Sequence, residues 1–209
     1  YNYKDLKNKY LSDSSFITHS DTELLLKLFI KFGVEKSLHL IDGMYAFVFI
    51  DIRTKIIKAS RDLFGEKPLF FAKTGNLVCY SSSDEAIAKY INNYKLDSNS
   101  ILESFYLGQI SPTFSRFQKI RRLEPDEIHT INYGVNKIDI KSSKLERKIK
   151  KFEFGQYKNN EDFFLKKIKE ILIESLSKRL ISDRGMALLL SGGIDSSLIA
   201  LLLSKELNI

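Results

Sequence analysis

The chain has 209 residues, of which 44% are hydrophobic and 12% aromatic, and a formal net charge of +7. That composition excludes a disordered polyelectrolyte and leaves room for one or two domains with proper cores. A single cysteine, Cys79, excludes an intrachain disulfide framework, and neither a membrane-length apolar run nor a signal-peptide pattern occurs, so a cytoplasmic setting is expected.

Ser20-Asp21-Thr22-Glu23 has the form of a capping box, with Ser20 as N-cap and Glu23 reaching back. Leu24, Leu25, Leu28, Phe29 and Phe32 then mark the apolar face of a helix that stops at Gly33. A second helical stretch runs from Val34 to Ile41. Met44–Ile50 is short, apolar and β-rich, so it reads as a buried strand. Further strands are expected over Lys55–Ser60, Leu69–Ala72 and Leu77–Ser81, and their short turns imply antiparallel pairing. Short helices follow over Asp84–Tyr90 and Ile101–Leu107, then a hairpin of Glu127–Asn132 and Val135–Ile140 around Tyr133-Gly134.

Lys141, Lys144, Arg147, Lys148, Lys150 and Lys151 crowd a stretch with almost no apolar content, which reads as an exposed linker. The other basic residues are scattered, as on a solvated surface; no nucleic-acid or membrane partner is expected. Asn160 then caps a helix with Glu161 and Asp162 in its first turn and Phe164, Ile168, Ile171, Leu172 and Leu176 on one face.

Met186–Leu190 reads as another strand. It runs into Ser191-Gly192-Gly193-Ile194-Asp195-Ser196-Ser197, beyond which Leu198, Ile199, Leu201, Leu202 and Leu207 recur at helical spacing. Adjacent glycines let backbone N–H groups approach an anion, the helix N-terminus favours negative charge, and the serine hydroxyls add donors. Asp195 repels phosphate unless a divalent cation lies between them, so the run implies ATP with Mg²⁺. A turn with Ser and Asp capping the helix is the plainer alternative. Leu190 is either a buried strand residue or a wall of an adenosine site.

The Ser191–Ser197 run resembles the SGGxDSS loop of the ATP-pyrophosphatases. Leu40-Ile41-Asp42-Gly43-Met44-Tyr45-Ala46-Phe47 and Arg61-Asp62-Leu63-Phe64-Gly65-Glu66-Lys67-Pro68-Leu69 resemble the glutaminase half of glutamine-dependent asparagine synthetases, as do Ser20–Glu23 and Ser83-Asp84. The resemblance implies an α+β glutaminase of Ntn-hydrolase type, with antiparallel sheets and helices, followed by the start of an α/β ATP-pyrophosphatase domain. The corresponding division is 1–140, a basic linker at 141–160, and 161–209. It implies that glutamine supplies ammonia to an aspartate activated by ATP as an acyl-adenylate, giving asparagine. Glutamine, aspartate and ATP are the expected partners and a homodimer is the candidate assembly.

By the same resemblance Asp21 holds the α-amino group of glutamine, its alternative being a first-turn acid at a helix N-terminus. Leu190, Ser191, Gly192, Gly193, Asp195, Ser196 and Ser197 form the ATP site, with Asp195 toward the metal. Tyr1-Asn2 resembles the end of the family's N-G-E-I-Y-N motif, which puts the oxyanion-hole residues and the cysteine nucleophile before Tyr1. Both ends of the chain are therefore expected to be cut from a longer protein, and the 209 residues alone are expected not to hydrolyse glutamine. Cys79 reads as a core residue, and His19, His39 and His129 as solvated or core residues without metal-ligand spacing. Arg61 and Asp62 read as a buried ion pair or a contact near the ammonia route. An amidotransferase with another acceptor, sugar-modifying or β-lactam synthetase-like, and a non-catalytic basic module are the competing functions.

Overall fold

The computed structural model describes residues 1–147, 160–182 and 185–209. It divides into two compact units, Asp13–Arg147 and a second one in which Tyr1–Ser12 joins the C-terminal segment.

In the larger unit, helices α2 (Asp21–Phe32) and α3 (Val34–Leu40) precede strands β1 (Ala46–Asp51) and β2 (Ile56–Arg61). Strands β3 (Phe70–Thr74) and β4 (Leu77–Ser81), helices α4 (Asp84–Tyr90) and α5 (Ser98–Leu107), and strands β5 (Arg121–Arg122), β6 (Glu127–Asn132) and β7 (Ile140–Lys144) follow. They form two antiparallel sheets, ordered β1-β2-β6-β7 and β4-β3-β5.

Strand periodicity sorts the side chains into layers. Phe47 and Phe49 of β1 face α2, where Phe29 stands 4.8 and 5.4 Å from their rings. Phe70 and Ala72 of β3 face α4 and pack on Ile87 and Ala88. Between them Phe71 points inward, packing in one cluster with Ala59 and Leu69 and meeting the His129 ring edge-on at 4.5 Å. Helices therefore cover the outer faces of two sheets that pack against each other, and the expected α+β class holds.

The smaller unit contains α1 (Tyr3–Tyr10), α6 (Glu161–Arg179) and α7 (Ile194–Glu206). Leu6, Leu11 and Leu202 are buried in it, Lys169 pairs with Glu206 at 2.7 Å, and the Arg179 guanidinium lies 4.8 Å from the Tyr1 ring centroid. Asn160 caps α6 as expected, accepting from the Phe163 N–H at 3.0 Å.

Several expectations change. Met186–Leu190 forms no strand: among the described residues nothing pairs with it, and Leu188, Leu189 and Leu190 are exposed, so the buried-strand reading of Leu190 fails. An apolar run becomes a strand only where a neighbouring strand satisfies its backbone. The last hairpin strand lies at Ile140–Lys144 rather than Val135–Ile140, pairing with Glu127–Ile131. Lys141 and Lys144 thus belong to a sheet, and Arg147 is held in a fork by Asp126; Lys148, Lys150 and Lys151 lie outside the described residues. Among the described residues no helix is long and apolar enough to cross a membrane.

Candidate functional site

Asp21 and the Ser191–Ser197 loop lie in different compact units. Asp21 is the first residue of α2 and is exposed. Ser20 caps this helix as expected, its Oγ accepting from the Thr22 N–H at 3.1 Å. Glu23 departs from the capping box. It passes over the Ser20 N–H and takes the Ile17 N–H at 3.0 and 3.2 Å, the Thr18 N–H at 2.7 Å and the Thr18 hydroxyl at 2.7 Å. These donors, the Ile17 N–H foremost, hold its carboxyl down at about 2. Thr18 Oγ1 accepts in turn from the Ser20 N–H at 3.2 Å, so the chain ahead of Asp21 is tied down.

Beside this turn a groove of about 690 Å³ runs between α2 and β1. Thr18, Ser20, Thr22, Glu23 and Lys27 are its polar lining residues, and the exposed Leu26, Ile30 and Val48 are among its apolar ones.

Arg61 and Asp62 are both buried but make no direct ion pair in the geometry observed; each serves backbone instead. Asp62 accepts from the N–H groups of Phe64 (3.2 Å), Glu66 (2.8 Å), Lys67 (3.0 Å) and Tyr45 (3.3 Å). Arg61 donates to the Leu123 carbonyl at 3.1 Å and to that of Gly65. The Arg61-Asp62 segment is therefore a fixed corner, with Phe64 75% exposed at its tip.

Cys79 sits on β4 opposite Ala72 and packs on the Phe70 and Ile87 cluster. Burial pushes its thiol up, which suits a core residue and works against a nucleophile. His129 is also a core residue, with Nδ1 2.9 Å from the Tyr80 hydroxyl and Nε2 3.1 Å from Glu127. Asp84, buried at the start of α4, holds Arg116 at 2.6 Å and the Ser115 hydroxyl at 3.1 Å. Nothing in the sequence pattern pointed to these last two groupings, because each joins residues far apart in the chain. Glu23 did carry a signal, its place three residues after Ser20.

In the smaller unit, Ser191, Gly193 and Ser196 come together. Ser191 and Ser196 share a hydrogen bond at 3.0 Å, and the Gly193 N–H donates to Ser191 Oγ at 3.4 Å. Gly192 has a φ of +81° with open space where a Cβ would stand, a conformation that favours glycine. Gly193 is the N-cap of α7 and makes no side-chain cap bond, which leaves the helix end open to an anion. Asp195 is exposed in the first turn, Ser197 is exposed beside it, and Leu190 is 62% exposed just before the loop. Among the described residues no group of three or more His, Cys, Asp or Glu could hold a metal. Asp195 alone therefore suits Mg²⁺ only in company with phosphate oxygens, as is usual for that ion.

Comparison with known proteins gives the two halves separate matches. Residues 1–144 match the glutamine amidotransferase domain and residues 167–208 match asparagine synthase. Among whole proteins, rat asparagine synthetase [glutamine-hydrolyzing] is 29% identical over 218 residues, and the human protein of the same name is 28% identical over 216. Each alignment takes in 100% of this chain but 35% of the relative, so the chain spans about a third of the relatives' length. The solved structure of glutamine phosphoribosylpyrophosphate amidotransferase from B. subtilis overlays 71% of this chain and 28% of its own, with a TM-score of 0.47 and 22% identity. By the match that takes in residues 1–144, the chain belongs to the glutamine amidotransferase domain family.

Proposed function

We propose that this chain is the glutamine-handling part, and the first part of the nucleotide-binding region, of an ATP-dependent ligase that forms asparagine. The observation that carries the reading is the order of the two matched segments, amidotransferase at 1–144 and asparagine synthase at 167–208. The exposed carboxylate of Asp21 and the open end of α7 are the places where the chemistry would attach.

Asp21 takes the α-ammonium group of glutamine, a charge-assisted contact made by an acceptor-only group. The carboxylate of aspartate becomes reactive as β-aspartyl-AMP, formed from ATP with loss of pyrophosphate, and the released ammonia then displaces AMP to give asparagine. The N–H groups at the start of α7 and the hydroxyls of Ser191, Ser196 and Ser197 bind the pyrophosphate portion of ATP, and Leu190 offers an apolar edge to the adenine. Asp195 would hold Mg²⁺ there, and the ion when bound neutralises the phosphate oxygens. Cys79, packed and raised in pKa, takes no part, so the 209 residues alone should release no ammonia from glutamine.

The test is Asp21→Ala in the full-length protein, assayed with glutamine and with free ammonia. Glutamine-dependent synthesis should fall while ammonia-dependent synthesis survives, because the lesion lies ahead of the shared adenylate. Loss of both in a folded variant would remove Asp21 from the glutamine pocket, and a product other than asparagine would replace aspartate as the acceptor.

A further inference from the structure

Asp21 is exposed at the very start of α2, where a backbone commonly frays. Its direction nevertheless has to be fixed for it to select an ammonium group, since positioning errors of about 1 Å cost roughly 100-fold. Two hydrogen-bonded ties flank it. On one side Ser20 Oγ accepts from the Thr22 N–H. On the other, Glu23 reaches back across the turn to Ile17 and Thr18, and Thr18 Oγ1 passes the tie to the Ser20 N–H.

The Thr18 hydroxyl has a single proton. It gives that proton to Glu23 at 2.7 Å, which leaves its lone pairs for the Ser20 N–H. Removing Glu23 therefore frees Ile17 and Thr18 and removes the reason for the Thr18 hydroxyl to face Ser20. Lys27, 3.5 Å away one helical turn on, keeps the carboxylate on the helix face from which it can reach both N–H groups. The carboxylate is thus engaged by donors from its own chain, so it is a support and not a second partner for a substrate amine.

We propose that Glu23 is a positioning residue for glutamine binding, which fixes the Ile17–Ser20 turn and through it the carboxylate of Asp21. The proposal rests on the assignment of Asp21 to the glutamine pocket. A residue that merely stabilises α2 would lower the folding midpoint and affect every activity alike. A positioning residue moves the KM for glutamine and leaves turnover with free ammonia in place.

The experiment compares Glu23→Ala, Glu23→Gln and Asp21→Ala in the full-length protein, with steady-state kinetics on glutamine and on ammonia. Hydrogen exchange at the Ile17 and Thr18 amides of the 209-residue chain reports the tie itself. Glu23→Ala should raise the glutamine KM roughly 10–100-fold, a range typical of supporting partners, with ammonia-dependent turnover retained and both amides deprotected. Glu23→Gln keeps one acceptor oxygen and should fall between Ala and wild type. It also decides the matter if the Ala variant does not fold. If Asp21→Ala raises the glutamine KM and neither Glu23 variant does, the positioning role is wrong and the pocket stands. Equal losses with glutamine and ammonia would make Glu23 structural only. If Asp21→Ala itself leaves the KM unchanged, the pocket assignment fails first.

Discussion

The guanidinium of Arg61 lies against the Cα of Gly65, so close that a Cβ at position 65 would stand 1.9 Å from Nη2. Arg61 is 3% exposed, donates to the carbonyls of Leu123 and Gly65, and is pulled below its ordinary range first by burial and then by neighbouring Arg122. Gly65 is therefore needed twice, for its φ of +63° and for the space above the arginine.

Gly65→Ala should destabilise the larger unit by at least about 1–3 kcal/mol, the usual cost of a strained backbone position, with the displaced buried charge adding to it. Denaturant unfolding of the 209-residue chain measures this. A midpoint equal to wild type would mean that Arg61 can leave its pocket freely, and the rigid-corner account of Arg61–Leu69 would fail.

Arg147 and Lys144, both expected in an exposed linker, stand in different surroundings. Arg147 grips the buried, left-handed Asp126 (φ +56°) through Nε at 2.5 Å and Nη2 at 2.8 Å. Lys144 meets Glu124 at 3.0 Å with both side chains exposed. Arg147→Ala strands a buried carboxylate and should cost about 3 kcal/mol, the lower end for such losses because the arginine is itself 21% exposed. Lys144→Ala should cost less than about 1 kcal/mol. Equal effects in urea titrations of the two variants would show that Arg147 is as dispensable as a linker residue.

The sequence was legible wherever one segment carried its own instruction. The α2 apolar face, its Gly33 stop, the β3–β4 hairpin and the Asn160 cap are local, and each falls where its pattern put it. What failed depended on partners. Val135–Ile140 has strand-like residues, yet pairing with β6 is made by Ile140–Lys144, whose polar side chains suit an exposed edge. Met186–Leu190 has the composition of a buried strand and no described neighbour to pair with. Helix α1 was missed because Tyr3, Leu6 and Tyr10 give it only a thin apolar stripe. At the candidate site the residue types were readable, but the reach of Glu23 to Ile17 was not, since a capping box describes only the residues it spans.

Acid should find a weak point between the sheets. Burial by itself would raise the Glu127 carboxyl, but hydrogen bonds from His129 and Ser142 and from the Glu124 N–H outweigh it and bring the group down to about 2. The unfolded chain binds this proton near the ordinary carboxylate value, and the folded chain resists it until about 2. The contribution, about 1–2 kcal/mol once solvent screening of this half-buried carboxylate is allowed for, is therefore complete above the unfolded value and is lost as the pH falls toward 2. Glu127→Gln keeps the shape and removes the titration, so its stability should decline less over that window than that of wild type. Parallel curves from acid-unfolding series of the two proteins would place the proton uptake elsewhere.

Asp195 stands exposed in the first turn of α7 behind an N-cap, Gly193, that supplies no side-chain bond, and two uses are open to it there. As a first-turn acid it would favour the helix dipole by about 0.3–1 kcal/mol, an effect on stability that leaves chemistry alone. As the group that holds Mg²⁺ against pyrophosphate it would matter little to melting, because an exposed carboxylate in solvent carries small folding energy, and greatly to adenylation. Asp195→Asn retains size and hydrogen-bonding capacity while removing the charge. In the full-length protein it should abolish aspartate-dependent pyrophosphate release at low Mg²⁺, recover little as Mg²⁺ is raised, and melt within a few degrees of wild type. Near-normal release together with a lowered melting temperature would assign Asp195 to the helix end and leave the phosphates to the α7 N–H groups and the serine hydroxyls alone.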